Sequence, residues 1–180
     1  MTRPPGRPAA PSRPRLYHVS EDGPLTIMSP RPSPPGTPYE GREWVWAVDE
    51  RRLPHYLVPR QCPRVCWATP AGSRGVLSSP AARVVVVEHA WANRLVAAGL
   101  KVHDLEPHGF TLLDATAGYW VTGQRVRVHG VRQVDDCFTA LAEHDVELRL
   151  TPSLWPYVDA VVAASVEFSN IRMRNAQPRP

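Results

Sequence analysis

Short β-patterned stretches alternate with a few helical ones along most of the chain. Runs of branched and aromatic residues predict strands at Leu16–Val19, Trp44–Val48, Arg64–Ala68, Arg83–Glu88, Lys101–Leu105, Gly118–Val121, Arg125–Val134, Glu147–Leu150 and Val166–Arg174. Val84–Val87 is the most apolar of these, which predicts a central strand covered on both faces. Helical signals are fewer. Asp49 opens a turn or two through Tyr56 that Pro59 stops; Trp91, Leu95 and Ala98 share a face ended by Gly99. Asp135 is placed to cap a helix with Phe138, Leu141 and Ala142 inward, and Ser153 opens a fourth with Pro156 in its first turn and Val158, Val161 and Val162 inward. Strand-rich segments broken by single helices, without regular βα alternation, predict an α+β fold: a single domain with a mixed, mostly antiparallel sheet and about four short helices.

Proline bounds that domain. Eleven of the 21 prolines fall within residues 1–38, in two bursts. The first lacks branched apolar and aromatic residues, so residues 1–14 are expected to be a disordered Pro/Arg-rich tail. The domain is expected over 15–176, with 177–180 a C-terminal tail. The second burst, Ser29–Pro38, lies between strands and reads as a polyproline-like loop, a candidate flap.

Charge changes the picture less than the net value of +4 suggests. Arg3, Arg7, Arg13 and Arg15 account for all of it, leaving 17 basic and 17 acidic residues in the body. With no basic stripe on a folded face, nucleic-acid binding by the body is disfavoured. Three cysteines, Cys62, Cys66 and Cys137, are too few and odd in number for a disulfide framework and point to a reducing cytoplasm. They lack the paired spacing of a zinc site, so no metal is expected. No apolar run approaches the roughly 18 residues of a membrane span.

Rossmann, P-loop and G-x-S-x-G patterns are absent, which removes the readings that rest on them. What remains is a set of polar residues inside apolar strands. His18 stands in RLYHVSEDG, where Glu21, Asp22 and Gly23 read as a strand-exit turn. Glu167 follows Val166, and strand alternation places it on the face of Ile171 and Met173. A carboxylate there is a cleft group, a solvent-facing strand residue, or a structural one paired to Arg172 or Arg149. Tyr56 and Trp46 are core aromatics or ligand contacts.

The stretches RLYHVSED, VWAVDERRLPHYLVPRQCPRV, LLDATAGYWV and ELRLTPSLWPYVDAVVAASVEFSNIRMRNA resemble a bacterial family catalogued as a domain of unknown function, over Arg15 to Ala176. More distantly, LYHVS, VWAVDERRLPHY and VEFS are similar in order to the ADP-ribosyltransferase fold of the diphtheria-toxin and RNA 2′-phosphotransferase type. That resemblance implies NAD as co-substrate. It would assign His18 and Ser20 to the adenosine ribose, Tyr56 to nicotinamide stacking and Arg60 to the pyrophosphate. Glu167 would bond the nicotinamide ribose and stabilise the charge that develops on it. Ser165 and Val166 replace the residue pair found before the glutamate in arginine-specific transferases. Two other readings stand beside it: a non-catalytic nucleotide or small-molecule binding module, and a hydrolase using His18 with an acid such as Asp114. The transferase reading makes a geometric demand, that His18, Tyr56 and Glu167 line one cleft.

Overall fold

The structure is a computed structural model that describes residues 14–33, 35 and 38–180. The predicted tail, apart from Pro14, and residues 34, 36 and 37 of the predicted flap lie outside the described residues. The strands in chain order are β1 (Leu16–Ser20), β2 (Ile27–Met28), β3 (Arg31–Pro32), β4 (Glu43–Asp49), β5 (Arg64–Ala68), β6 (Arg83–Glu88), β7 (Leu100–Leu105), β8 (Thr111–Asp114), β9 (Tyr119–Thr122), β10 (Val126–Val134), β11 (Val146–Thr151) and β12 (Phe168–Ile171). The described residues also form three α-helices, α1 (Ala92–Ala97), α2 (Cys137–Glu143) and α3 (Trp155–Ala163), and short 3₁₀ turns, among them Leu53–Tyr56 between β4 and β5 and Met173–Asn175 after β12.

Two sheets result. The larger runs β2-β10-β7-β1-β4-β9-β8, with β3 also on β4; the smaller runs β11-β6-β5-β12. All pairings are antiparallel except β11 with β6, so the α+β expectation with a mostly antiparallel arrangement holds. β6 shows why the valine run belongs at the centre. Its alternation sends Val85 and Val87 into a core shared with Tyr17, Val48, Leu95 and Leu141, and Val84 and Val86 into a second core with Trp67, Leu154 and Val161 of α3. A third cluster, with Leu16, Val45, Ala47 and Leu105, covers the other face of the larger sheet.

Several local expectations are corrected. Asp136, not Asp135, caps α2: its Oδ1 accepts from the N–H of Phe138 at 2.8 Å and of Thr139 at 3.3 Å. The one-residue shift rotates the helix, so Cys137, Ala140 and Leu141 face inward and Phe138 is exposed. In α3, Val161 is buried while Val162 is exposed. The last strand ends at Ile171 because Arg172 takes the left-handed conformation at φ 55° and turns the chain into the 3₁₀ turn. Residues 177–180 are anchored: Gln177 N–H donates to Glu88, and Arg179 pairs with Asp159 at 2.6 Å. Among the described residues no helix is long and apolar enough to cross a membrane.

Candidate functional site

The site starts from a split in the larger sheet. β1 pairs with β7 along all five of its residues, but with β4 only at Leu16↔Asp49 and Tyr17↔Val48. Farther along, β3 takes the vacated side of β4 at Arg31↔Trp44 and Pro32↔Glu43. The gap between these pairings is bridged by a side chain: His18 Nδ1 donates to the Trp46 carbonyl at 2.8 Å. Around this gap lies a cavity of about 840 Å³, within the range of small-molecule sites.

Two kinds of wall enclose it. One is aromatic: Trp46 lies 5.5 Å from Tyr39, 5.6 Å from Trp44 and 5.7 Å from Tyr119, centroid to centroid, each edge-on. The other is cationic, with Arg60, Arg64, Arg172 and Arg174, while Arg31 enters from β3 beside Trp44. Asp22 is the only acid among the lining residues, and lies 3.9 Å from Arg60. Glu21 accepts the Arg60 backbone N–H at 3.0 Å. The turn that reads in the sequence as a mere strand exit therefore contributes to the site.

His18 is electrically neutral here. Burial, then repulsion from Arg60, His103 and Arg31, holds its pKa down at about 4. Because the Trp46 carbonyl takes the Nδ1 proton, the lone pair sits on Nε2, which has no hydrogen-bond partner among the described residues. Ser20 is buried and its hydroxyl has no partner among the described residues, nor do Trp46 Nε1 and Asn170 Oδ1, all in residues lining the cavity. Tyr56 also lines it. The Arg64 guanidinium lies 5.2 Å from its ring centroid, and burial followed by the neighbouring Tyr119 pushes its phenol well above the usual range.

The structure thus brings His18, Ser20, Tyr56 and Arg60 to one cavity and leaves Glu167 out of its lining. Glu167 immediately precedes β12, where its carbonyl accepts from Ala68 N–H at 2.9 Å. Its carboxylate is taken by Arg51 at 2.6 Å, Arg52 at 3.1 Å and Arg83 at 3.3 Å, and by neither Arg172 nor Arg149. Arg83 passes the network on to His55 Nε2 at 3.1 Å. The demand that His18, Tyr56 and Glu167 share a cleft lining is not met in this cavity. Asp114 is likewise outside the lining, its Oδ1 accepting the N–H groups of Thr116 and Ala117.

Arg64, Arg172 and Arg174 escape sequence reasoning. Arg64 opens an apolar strand, and the other two lie in a stretch whose alternation predicts continuous strand. Met173 between two arginines in IRMRN is the one available signal. Among the described residues no group of histidine, cysteine and carboxylate side chains is arranged to hold a metal ion. All three cysteines are free and buried.

Residues 17–176 match a family of unknown function, DUF6886. The chain belongs to that family. No curated protein and no solved structure matches it. For this DUF6886 member the argument for function therefore rests on the cavity.

Proposed function

We propose that this DUF6886 protein binds a nucleotide-type ligand, an aromatic ring bearing phosphate, in the cavity between β1 and β4. The observation that carries the reading is the presence of four aromatic side chains, Tyr39, Trp44, Trp46 and Tyr119, together with the arginines in the lining of one cavity. Aromatic faces take up a planar base by stacking or edge contact, and guanidinium groups match phosphate oxygens in charge and fork geometry. The neutral imidazole of His18 adds an acceptor at Nε2.

Binding is favoured over ADP-ribose transfer from NAD by the place of Glu167. A carboxylate that stabilises a developing sugar cation has to face that sugar. Glu167 is occupied by three arginines and is not part of the lining.

The test is titration of the protein with NAD, ADP-ribose and AMP, followed by tryptophan fluorescence and thermal shift, with nicotinamide release measured in parallel. The expected result is quenching with at least one of them, loss of quenching in Trp46→Ala, and no nicotinamide release. A ligand at 100 times its dissociation constant adds about 2.7 kcal/mol of stability. No shift with any of the three at millimolar concentration refutes the reading. Nicotinamide release abolished by Glu167→Gln establishes the transferase instead.

A further inference from the structure

The arginines around Glu167 and those lining the cavity differ in what pairs them. At the Glu167 network every guanidinium has a carboxylate within 4 Å. At the cavity the balance is different. Arg64 is only 2% exposed, yet its Nε donates to the His55 carbonyl at 2.7 Å and its Nη1 to that of Cys62 at 2.8 Å, with no carboxylate partner among the described residues. Arg172 is held in the left-handed conformation with its Nε 3.4 Å from the Arg60 carbonyl. Burial, then repulsion from Arg174, Arg60 and Arg64, holds its guanidinium below the ordinary arginine range. Neither Arg172 nor Arg174 has an acidic partner among the described residues. With Arg31, five arginines stand against one acid, Asp22, in the lining, a formal surplus of four positive charges.

Uncompensated buried charge is costly, and guanidinium groups crowded without a counter-ion repel one another. A phosphate group at neutral pH carries about −1.5 to −2. One phosphate leaves about two positive charges or more over; a terminal diphosphate, at about −3, offsets most of the surplus. We propose that Arg60, Arg64, Arg172 and Arg174 form a diphosphate subsite, and that Asp22 is the protein's own anion, which the diphosphate displaces from Arg60. The assignment extends the nucleotide reading by naming the anionic group, and it stands or falls on different measurements.

Calorimetric titration of the full chain with inorganic pyrophosphate and with inorganic phosphate, each at low and moderate salt, tests it. Pyrophosphate is expected to bind at least about tenfold more tightly than phosphate, with affinity falling as salt rises. Arg172→Gly removes the guanidinium while suiting the left-handed backbone, and Arg174→Gln changes an exposed side chain; each is expected to weaken pyrophosphate about tenfold or more. Asp22→Asn is expected to tighten it several-fold, an effect that misfolding does not mimic. Equal affinity for the two anions, or an Asp22→Asn variant that binds pyrophosphate no better, overturns the subsite. If pyrophosphate binds as described but NAD, ADP-ribose and AMP do not, the subsite stands and the nucleotide reading falls. If a nucleotide quenches Trp46 while Arg172→Gly and Arg174→Gln leave its affinity within twofold, the subsite falls and the nucleotide reading stands.

Discussion

Replacing Glu167 by glutamine separates a structural from a catalytic carboxylate by the sign of a stability change. The carboxylate serves three arginines of unequal exposure. Arg51, at 62% exposed, gains little from its 2.6 Å pair, under about 1 kcal/mol. Arg52 and Arg83, at 8% and 11%, are the costly ones. Arg52 retains Asp49 at 3.6 Å and the carbonyls of Ala115 and Thr116; Arg83 retains His55 Nε2. Removing one partner of a buried pair costs about 3–5 kcal/mol. Glutamine keeps one acceptor and the surviving partners share the load, so the expected loss is about 2–3 kcal/mol. For a domain of this size that is a fall in Tm of roughly 4–12 °C. Urea unfolding followed by tryptophan fluorescence measures it, with the midpoint reduced and the slope unchanged. Carboxylates held in place for chemistry commonly raise stability when neutralised. A Glu167→Gln protein as stable as the wild type, or more stable, refutes the counter-ion argument.

Three further outcomes are expected. His18, at about 4 when folded and 6.5 when unfolded, binds more protons in the unfolded chain between those values, so stability is full above about pH 6.5 and falls as pH drops toward 4, by up to roughly 3 kcal/mol. The buried His55, lowered in the same direction, adds to the fall; denaturation at stepped pH should show a shallower slope in His18→Gln, and an NMR titration of His18 centred near 6.5 contradicts it. Gly118→Ala puts a Cβ at 2.8 Å from both Arg52 Cγ and Asp49 Oδ2 at a φ of +67°, for an expected loss of about 2–4 kcal/mol. Because Arg52 is the residue displaced, a double-mutant cycle with Glu167→Gln should show coupling of at least about 0.5 kcal/mol, and strict additivity counts against the shared network. Burial pushes the thiols of Cys62 and Cys66 up to about 12 and that of Cys137 to about 11, so native protein should resist iodoacetamide at pH 8 and label at all three sites once denatured, as read by mass spectrometry.

How much of this was legible along the chain depended on whether the deciding contact was local. β5 and β6 span the residues that the sequence predicts, because pairing on both sides rewards an uninterrupted strand. The last strand overran because one left-handed residue, Arg172, breaks an alternation that otherwise continues. His18 and Tyr56 could be singled out as a strand histidine and an aromatic, Ser20 and Arg60 only through the resemblance to the ADP-ribosyltransferase fold, and all four line the cavity. Glu167 could be recognised as a strand carboxylate in need of a partner, but not matched to one. Arg83 lies 84 residues away in sequence, and Arg51 and Arg52 approach from the turn before Tyr56, so register between distant segments decided the pairing.

The arginine surplus at the cavity is a matter of placement, not composition. After residue 15 the chain holds 17 basic and 17 acidic residues, enough to pair every cation. Where an arginine is needed to hold elements together, the fold supplies an acid: Glu167 for Arg52 and Arg83, Glu147 for Arg149. At the split between β1 and β4, five arginines share one cavity with one aspartate, and that aspartate stands 3.9 Å from Arg60 on an exposed turn. The same chain, with as many acids as bases after residue 15, pairs one set of guanidinium groups tightly and leaves the other set short of counter-charge around an open volume. Structural need explains the first set. The second calls for an anion brought from outside, and the aromatic side chains in the same lining indicate what that anion carries.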